Sequence, residues 1–174
     1  MVILGIDIGG SGIKGGLVDS QTGALVTALY RLPTPEKARP EECVQVVEEI
    51  RNYFQYNGPV GVGFPAVVQH GVCMTAANIH ESWIGADVSM LIEKATGCKS
   101  WVLNDADAAG IAEMTFGAGK DRKGVVMILT VGTGIGSAIF TDGVLVPNTE
   151  FGHLKIREKD AERRASDATR KRKG

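Results

Sequence analysis

The chain has 174 residues, 44% of them hydrophobic, with 23 glycines and a formal net charge of −1. That length suits one domain or two small ones, and glycine at this density without a G-X-Y period signals tight turns and backbone-contact sites, which excludes collagen. The near-neutral total hides an uneven end: residues 155–174 hold nine Lys/Arg against four Asp/Glu, so that segment is +5 and the rest about −6.

Cys43, Cys73 and Cys98 are odd in number, widely spaced and without a C-x-x-C pair. They read as reduced thiols, with neither a disulfide framework nor a metal site. The opening MVILGIDIGG has no basic n-region, and Asp7 breaks its apolar run, so neither a signal peptide nor a membrane span is expected. The expectation is a soluble, cytoplasmic protein with no membrane partner.

Val2–Ile8 is a short apolar run rich in β-branched residues and predicts a buried strand. Gly9-Gly10-Ser11-Gly12 turns the chain, Ile13–Asp19 returns as a second strand, and a third is expected over Ala24–Arg31. Cys43, Val47, Ile50 and Phe54 fall at helical spacing between Glu41 and Phe54. Pro59–Phe64 predicts a strand, Val88 to Ala95 a helix, Trp101–Leu103 a strand, and Ala106–Met114 a helix.

The pattern then restarts. Residues 6–19 line up without a gap against residues 129–142, an internal repeat at a spacing of about 120 residues, too long for a solenoid. The reading is an α/β protein of two similar domains, 1–105 and 106–174. Each opens with a glycine-tipped hairpin, and the second has too few residues to complete the pattern of the first.

Gly10-Ser11-Gly12-Ile13-Lys14-Gly15 satisfies G-x-G-x-x-G, but a dinucleotide fingerprint opens a helix and this one runs into strand residues. A glycine hairpin can still hold phosphate, because bare N–H groups at a turn form an anion nest. Ser11 and Lys14 add a hydroxyl and a charge, and Gly132-Thr133-Gly134 repeats the device. Asn104-Asp105 stands at a strand-to-helix junction, where Asn and Asp serve either as helix caps or as a carboxylate base for an attacking hydroxyl. Glu150 and His153 suit sugar hydroxyls or plain structural hydrogen bonds. His70, His80 and His153 make no H-x-x-x-H, which speaks against a metal centre.

Together these stretches resemble the ROK family of sugar kinases and regulators. The residues that carry the likeness are 5–16, 75–78 with 82–85, 103–110, 132–138 and 147–154, spread over most of residues 1–156. Within the family the pattern is most similar to the glucokinases that use polyphosphate. The resemblance implies the actin-like ATPase (ribonuclease H-like) fold and transfer of a phosphoryl group from polyphosphate, with ATP also accepted, to the 6-hydroxyl of glucose. Asp105 is then the general base. Asn104, Glu150, His153, Asn78 and Pro65 bind the sugar, while Gly9, Gly10, Ser11, Lys14, Gly132, Thr133 and Gly134 surround the phosphates. Asp7 lies near a Mg²⁺ ion.

No zinc is expected, since no cysteine follows Cys98. A homodimer is the family's form, and no nucleic acid partner is implied. The first strand begins at Val2, with no helix-turn-helix ahead of it as the family's regulators have. Family members continue past residue 174 and use a later glycine-rich loop. The alternatives are therefore an inactive truncated piece of such a kinase, or a hexose kinase using another sugar or ATP only. The basic segment 155–174 reads as a solvated charged helix, as an attractor of a polyanion, or as a helix without its packing partners.

Overall fold

The computed structural model describes residues 1–132, 134–166 and 169–171. Two compact units divide the chain, Met1–Asp105 and Ala106–Gly174.

The first unit runs β1 (Val2–Gly9), β2 (Gly12–Asp19), β3 (Tyr30–Leu32), α1 (Pro40–Tyr53), β4 (Val60–Phe64), a small hairpin of β5 (Val68–Gln69) and β6 (Val72–Cys73), α2 (Val88–Thr96) and β7 (Ser100–Asn104). Five strands form one sheet in the order β3-β2-β1-β4-β7. β2 and β3 run antiparallel to their neighbours, whereas β4 and β7 continue parallel to β1. Along β1 the period of two buries Leu4, Ile6 and Ile8 and leaves Asp7 half-exposed. The G-x-G-x-x-G string thus runs into a strand, β2.

Helix α1 starts with Pro at its first position, carries Glu41 and Glu42 in its first turn and Arg51 in its last, in keeping with its dipole. It buries Cys43, Val47 and Ile50. Gly15 lets it lie close on β2: a Cβ there would stand 2.6 Å from Ile50 Cγ2. Trp83 is fully buried, meets Phe64 edge-on at 4.9 Å and donates its indole N–H to the Ala38 carbonyl at 2.9 Å, which satisfies its one polar atom. All three cysteines are buried and unlinked; burial first, then Glu42 and Glu41, push the Cys43 thiol up to about 11.

The third strand is shorter than the expected Ala24–Arg31. The Leu17 N–H goes to the Thr27 hydroxyl at 3.1 Å in place of a ladder partner, and Leu25 and Leu29 fold over Gly16. The regular ladder therefore begins only at Tyr30.

The second unit takes up α3 (Asp105–Phe116) from Ala106 onward, then β8 (Val125–Val131), β9 (Ile135–Thr141) and β10 (Val144–Val146), an antiparallel sheet in the order β10-β9-β8. α3 packs on β9 through small residues: a Cβ on Gly110 would fall 2.6 Å from the Cβ of Ala138. A 3-10 turn over Phe151–His153 follows.

A solvated helix was one expectation for the basic segment. Its described residues form a hairpin of β11 (Lys155–Ile156) and β12 (Lys159–Asp160), a single turn, α4 (Glu162–Ala165), and helical backbone again at 169–171. Arg157 and Glu158 make the tight turn at positive φ, and Lys155, then Arg163, hold the Asp160 carboxyl below the usual carboxylate range. Among the described residues no helix is long and apolar enough to cross a membrane.

Candidate functional site

The tip of the β1–β2 hairpin organises the first unit's polar residues. Gly9 pairs with Gly12, so Gly10 and Ser11 alone span the turn. One step back, Asp7 lies opposite Lys14, and Lys14 opposite Arg31, a row across three strands. The Lys14 ammonium meets Asp7 Oδ2 at 2.9 Å, with both side chains nearly half-exposed, so the pair contributes less than about 1 kcal/mol to stability and serves mainly to orient. The Arg31 guanidinium donates to the Ser11 carbonyl at 2.8 Å and the Ser11 hydroxyl at 3.4 Å.

On the other side of Asp7 stands Gly63 of β4. A Cβ at Gly63 would lie 3.8 Å from Asp7 Oδ1 and 3.6 Å from the Cα of Asp105. The missing side chain thus leaves open the space flanked by these two carboxylate residues. Asp105 is exposed at the first position of α3, and Asn104, buried at the end of β7, donates its amide to the Ala66 carbonyl at 3.2 Å.

Beside the tip is a cavity of about 310 Å³, lined by Gly9, Gly10, Pro65, Asn78, Lys37 and His80 among others. That is the small end of the range for ligand pockets. Thr34, also in its wall, donates its hydroxyl to the Gly9 carbonyl at 2.5 Å and fixes the strand below the tip. His80 Nδ1 accepts the Ser82 N–H at 3.1 Å, so a neutral ring carries its proton on Nε2.

The second unit gathers its own group. His153 has a carboxylate at each ring nitrogen, Glu150 at 3.4 Å and Glu162 at 3.9 Å. Hydrogen bonds pin the segment that carries them, among them one from the Ser137 hydroxyl to the Thr149 carbonyl. The Asn148 N–H donates to Asp107 Oδ2 at 2.7 Å, the Phe151 N–H to the Ser137 hydroxyl at 3.0 Å, and the Thr149 hydroxyl to the Ser137 carbonyl at 3.1 Å. Asp107 is almost fully buried, which raises its carboxyl pKa against the pull of the Asn148 N–H. At the second glycine tip, the Gly132 N–H donates to the Gly134 carbonyl at 3.0 Å, and a Cβ on Gly134 would lie 2.5 Å from Glu162 Oε2. Thr133 lies outside the described residues.

The first unit therefore collects Asp7, Gly9, Gly10, Ser11, Lys14, Pro65, Asn78, Asn104 and Asp105 around its hairpin tip, cavity and β7–α3 junction, and the second unit collects Glu150 and His153. Sequence reasoning passed over Arg31, Thr34, Lys37 and Glu162. Only the strand register brings Arg31 beside Lys14, and Glu162 sat within a run of charges that reads as solvated surface.

Among the described residues, no group of three or more His, Cys, Asp and Glu is placed to hold a metal ion alone. Mg²⁺ takes one or two carboxylates and completes its shell with water and substrate phosphates. Asp7 fits that requirement: Lys14 takes Oδ2, and Oδ1 faces the open space at Gly63.

The pattern of the ROK family matches residues 3–166. Polyphosphate glucokinase of Mycobacterium tuberculosis (strain ATCC 25177 / H37Ra) is 50% identical over 167 residues, which cover 95% of this chain and 63% of that protein. The crystal structure of an inorganic polyphosphate/ATP-glucomannokinase from Arthrobacter sp. strain KM superposes with a TM-score of 0.95 at 46% identity, over 99% of this chain and 71% of the other. A ROK family glucokinase from Streptomyces griseus, solved with glucose and AMPPNP, gives a TM-score of 0.85 at 26% identity, over 97% and 58%. This chain spans 63% of the length of its mycobacterial relative. With the hairpin, the flanking carboxylates and these matches together, the chain belongs to the ROK family and has the actin-like ATPase fold of its sugar kinases.

Proposed function

We propose that the chain serves phosphoryl transfer from polyphosphate, with ATP as a second donor, to the 6-hydroxyl of glucose. The observation that carries this reading is the 50% identity with a polyphosphate glucokinase over 95% of the chain. The open space between Asp7 and Asp105 suits the chemistry. There the Asp105 carboxylate accepts the proton of the sugar hydroxyl as its oxygen attacks the terminal phosphorus. The bond from that phosphorus to the donor's bridging oxygen breaks, releasing polyphosphate one unit shorter or, from ATP, ADP. Asp7, together with the donor's phosphates, would hold Mg²⁺, which would supply charge neutralisation there.

The N–H groups at Gly10 and Ser11, the Gly9 turn and the Lys14 ammonium receive the phosphates, with Gly132, Thr133 and Gly134 doing so at the second tip. Asn104, Asn78 and Pro65 of the first unit and Glu150 and His153 of the second bind the sugar. A homodimer in the cytoplasm is the form this reading expects.

The Arthrobacter protein's name, a polyphosphate/ATP-glucomannokinase, favours a second reading in which mannose is phosphorylated too. The test is sugar 6-phosphate formation from glucose and from mannose, with polyphosphate or ATP, in the presence of Mg²⁺. Turnover with polyphosphate and glucose supports the reading. A folded sample with no turnover from either donor overturns it for this chain.

A further inference from the structure

We propose that Arg31 is a ligand of the phosphoryl donor: its guanidinium, laid over Gly12 at the first hairpin tip, binds oxygens of the phosphate chain beside the transferred group. This rests on the donor being a phosphate chain, as argued above.

The row Asp7–Lys14–Arg31 carries one negative and two positive charges. Lys14 is engaged by Asp7 at 2.9 Å, whereas Arg31 makes no ion pair among the described residues. Arg31 is exposed, and its recorded hydrogen bonds both leave from Nη2, toward the Ser11 carbonyl and hydroxyl. A guanidinium has five N–H donors in a planar fork, so most of its capacity is left for an anion, and the fork matches phosphate in two-point geometry. The Ser11 bonds set that fork beside the bare turn of Gly10 and Ser11.

Gly12 leaves room for the guanidinium in this pose. Its backbone is not in the left-handed region, so conformation does not demand glycine there. A Cβ at that position would stand 2.4 Å from Nε, 2.5 Å from Nη2 and 2.6 Å from Cζ of Arg31. Glycine at position 12 therefore gives the guanidinium its seat. The turn itself closes through the Gly9–Gly12 pair of the ladder.

The competing role is that Arg31 only ties the tip down, and charge separates the two. Binding of inorganic tripolyphosphate would be followed by calorimetry at several salt concentrations for the wild type, Arg31→Gln, Arg31→Lys and, as a remote control of equal charge change, Lys94→Gln. Gln keeps an amide that can reach toward Ser11 and loses the charge; Lys keeps the charge and loses the fork. The expected result is that Arg31→Gln weakens tripolyphosphate binding about tenfold or more and flattens the slope of log affinity against log salt by roughly 0.7 to 0.9, the share of one lost contact by analogy with nucleic-acid phosphates. Arg31→Lys keeps the slope with part of the affinity, and Lys94→Gln stays within about twofold of wild type, its charge being remote and screened. Thermal melting accompanies each variant, so that Arg31→Lys decides the matter should Arg31→Gln not fold. Unchanged affinity and salt slope in folded Arg31→Gln would make Arg31 a brace and overturn the proposal. A wild-type protein that does not bind tripolyphosphate would overturn the phosphate-donor reading and this proposal with it.

Discussion

The two glycine-tipped hairpins share a sequence pattern and differ in register. In the first, Ile8 pairs with Ile13 and Gly9 with Gly12, so two residues span the tip; in the second, Val131 pairs with Ile135 and three positions span it. The gapless sequence repeat matches Ile8 to Val131 but Ile13 to Gly136. The ladders are thus offset by one residue, and an offset of one turns a strand's side chains to the opposite face. Leu4, Ile6 and Ile8 are buried on β1, whereas their counterparts Met127, Leu129 and Val131 on β8 are all more than half exposed. The tips also differ in charge: the guanidinium of Arg31 lies on the first, and the carboxylate of Glu162 lies against the second. A shared motif fixes a turn, but its length and the charge laid on it decide what the turn can bind.

The largest expected effect tests the chemistry assigned to the first unit. Asp105→Asn should lower turnover by about 10²- to 10⁴-fold, or roughly 3–5 kcal/mol of barrier, if its carboxylate is the base. Steady-state rates with saturating glucose and polyphosphate would measure this. A variant retaining near-normal turnover would remove Asp105 from that role.

The register difference is sharpened by a pair of matched substitutions. Ile6→Ala empties a packed site and should cost about 2–5 kcal/mol. Its repeat counterpart Leu129→Ala loses a side chain already 54% exposed and should stay within about 0.5 kcal/mol. Urea unfolding of both variants gives the comparison. Equal losses would mean that Leu129 is covered in solution and that the contrast between the sheets fails.

Much of the first unit is legible in the sequence, because alternation and helical spacing there coincide with burial. β1, β2, α1, α2 and β7 all follow from apolar periodicity. What escaped depended on features without a periodic signal. The offset of the second hairpin hangs on whether two or three residues span a tip, and a gapless repeat says nothing of that. Arg31 becomes visible only once β3 pairs with β2, since it stands seventeen positions from Lys14 in the chain and directly beside it in the sheet. Asn104 and Asp105 were legible as residues of a strand–helix junction, where the sequence left helix capping and a carboxylate base both open. The part Gly63 plays, by leaving space next to them, is a property of the sheet neighbours alone.

A smaller effect concerns how each helix approaches its sheet. α1 lies on β2 over a glycine, Gly15, whereas α3 places the glycine on the helix, Gly110, against Ala138. Gly110→Ala gains about 1 kcal/mol of helix propensity. It also puts a methyl group 2.6 Å from the Ala138 Cβ, a contact with no flexible end to yield, and overpacking of this kind costs about 1–3 kcal/mol. The net expectation is a loss of about 1 kcal/mol, read from urea unfolding followed by the second unit's signal. A more stable variant would show that helix propensity outweighs the close approach.

The smallest effect is one of pH and belongs to the second unit, where Asp107 anchors the Asn148 N–H. Burial raises its carboxyl pKa in the folded chain above the unfolded value of about 3.9. The folded state therefore keeps a proton that the unfolded state has released. Stability falls as pH rises from about 4 through the folded pKa, and levels off above it. Asp107→Asn carries no titrating group, while its amide oxygen can still accept the Asn148 N–H. Unfolding free energies of both proteins, measured by urea between pH 4 and pH 7, should show the wild type losing ground to the variant as pH rises, with the gap constant once Asp107 is ionised. Every other carboxylate titrates alike in the two proteins, so their difference isolates Asp107. Parallel profiles across the range would mean that water reaches Asp107 and that the second unit's anchor is less closed than its burial implies.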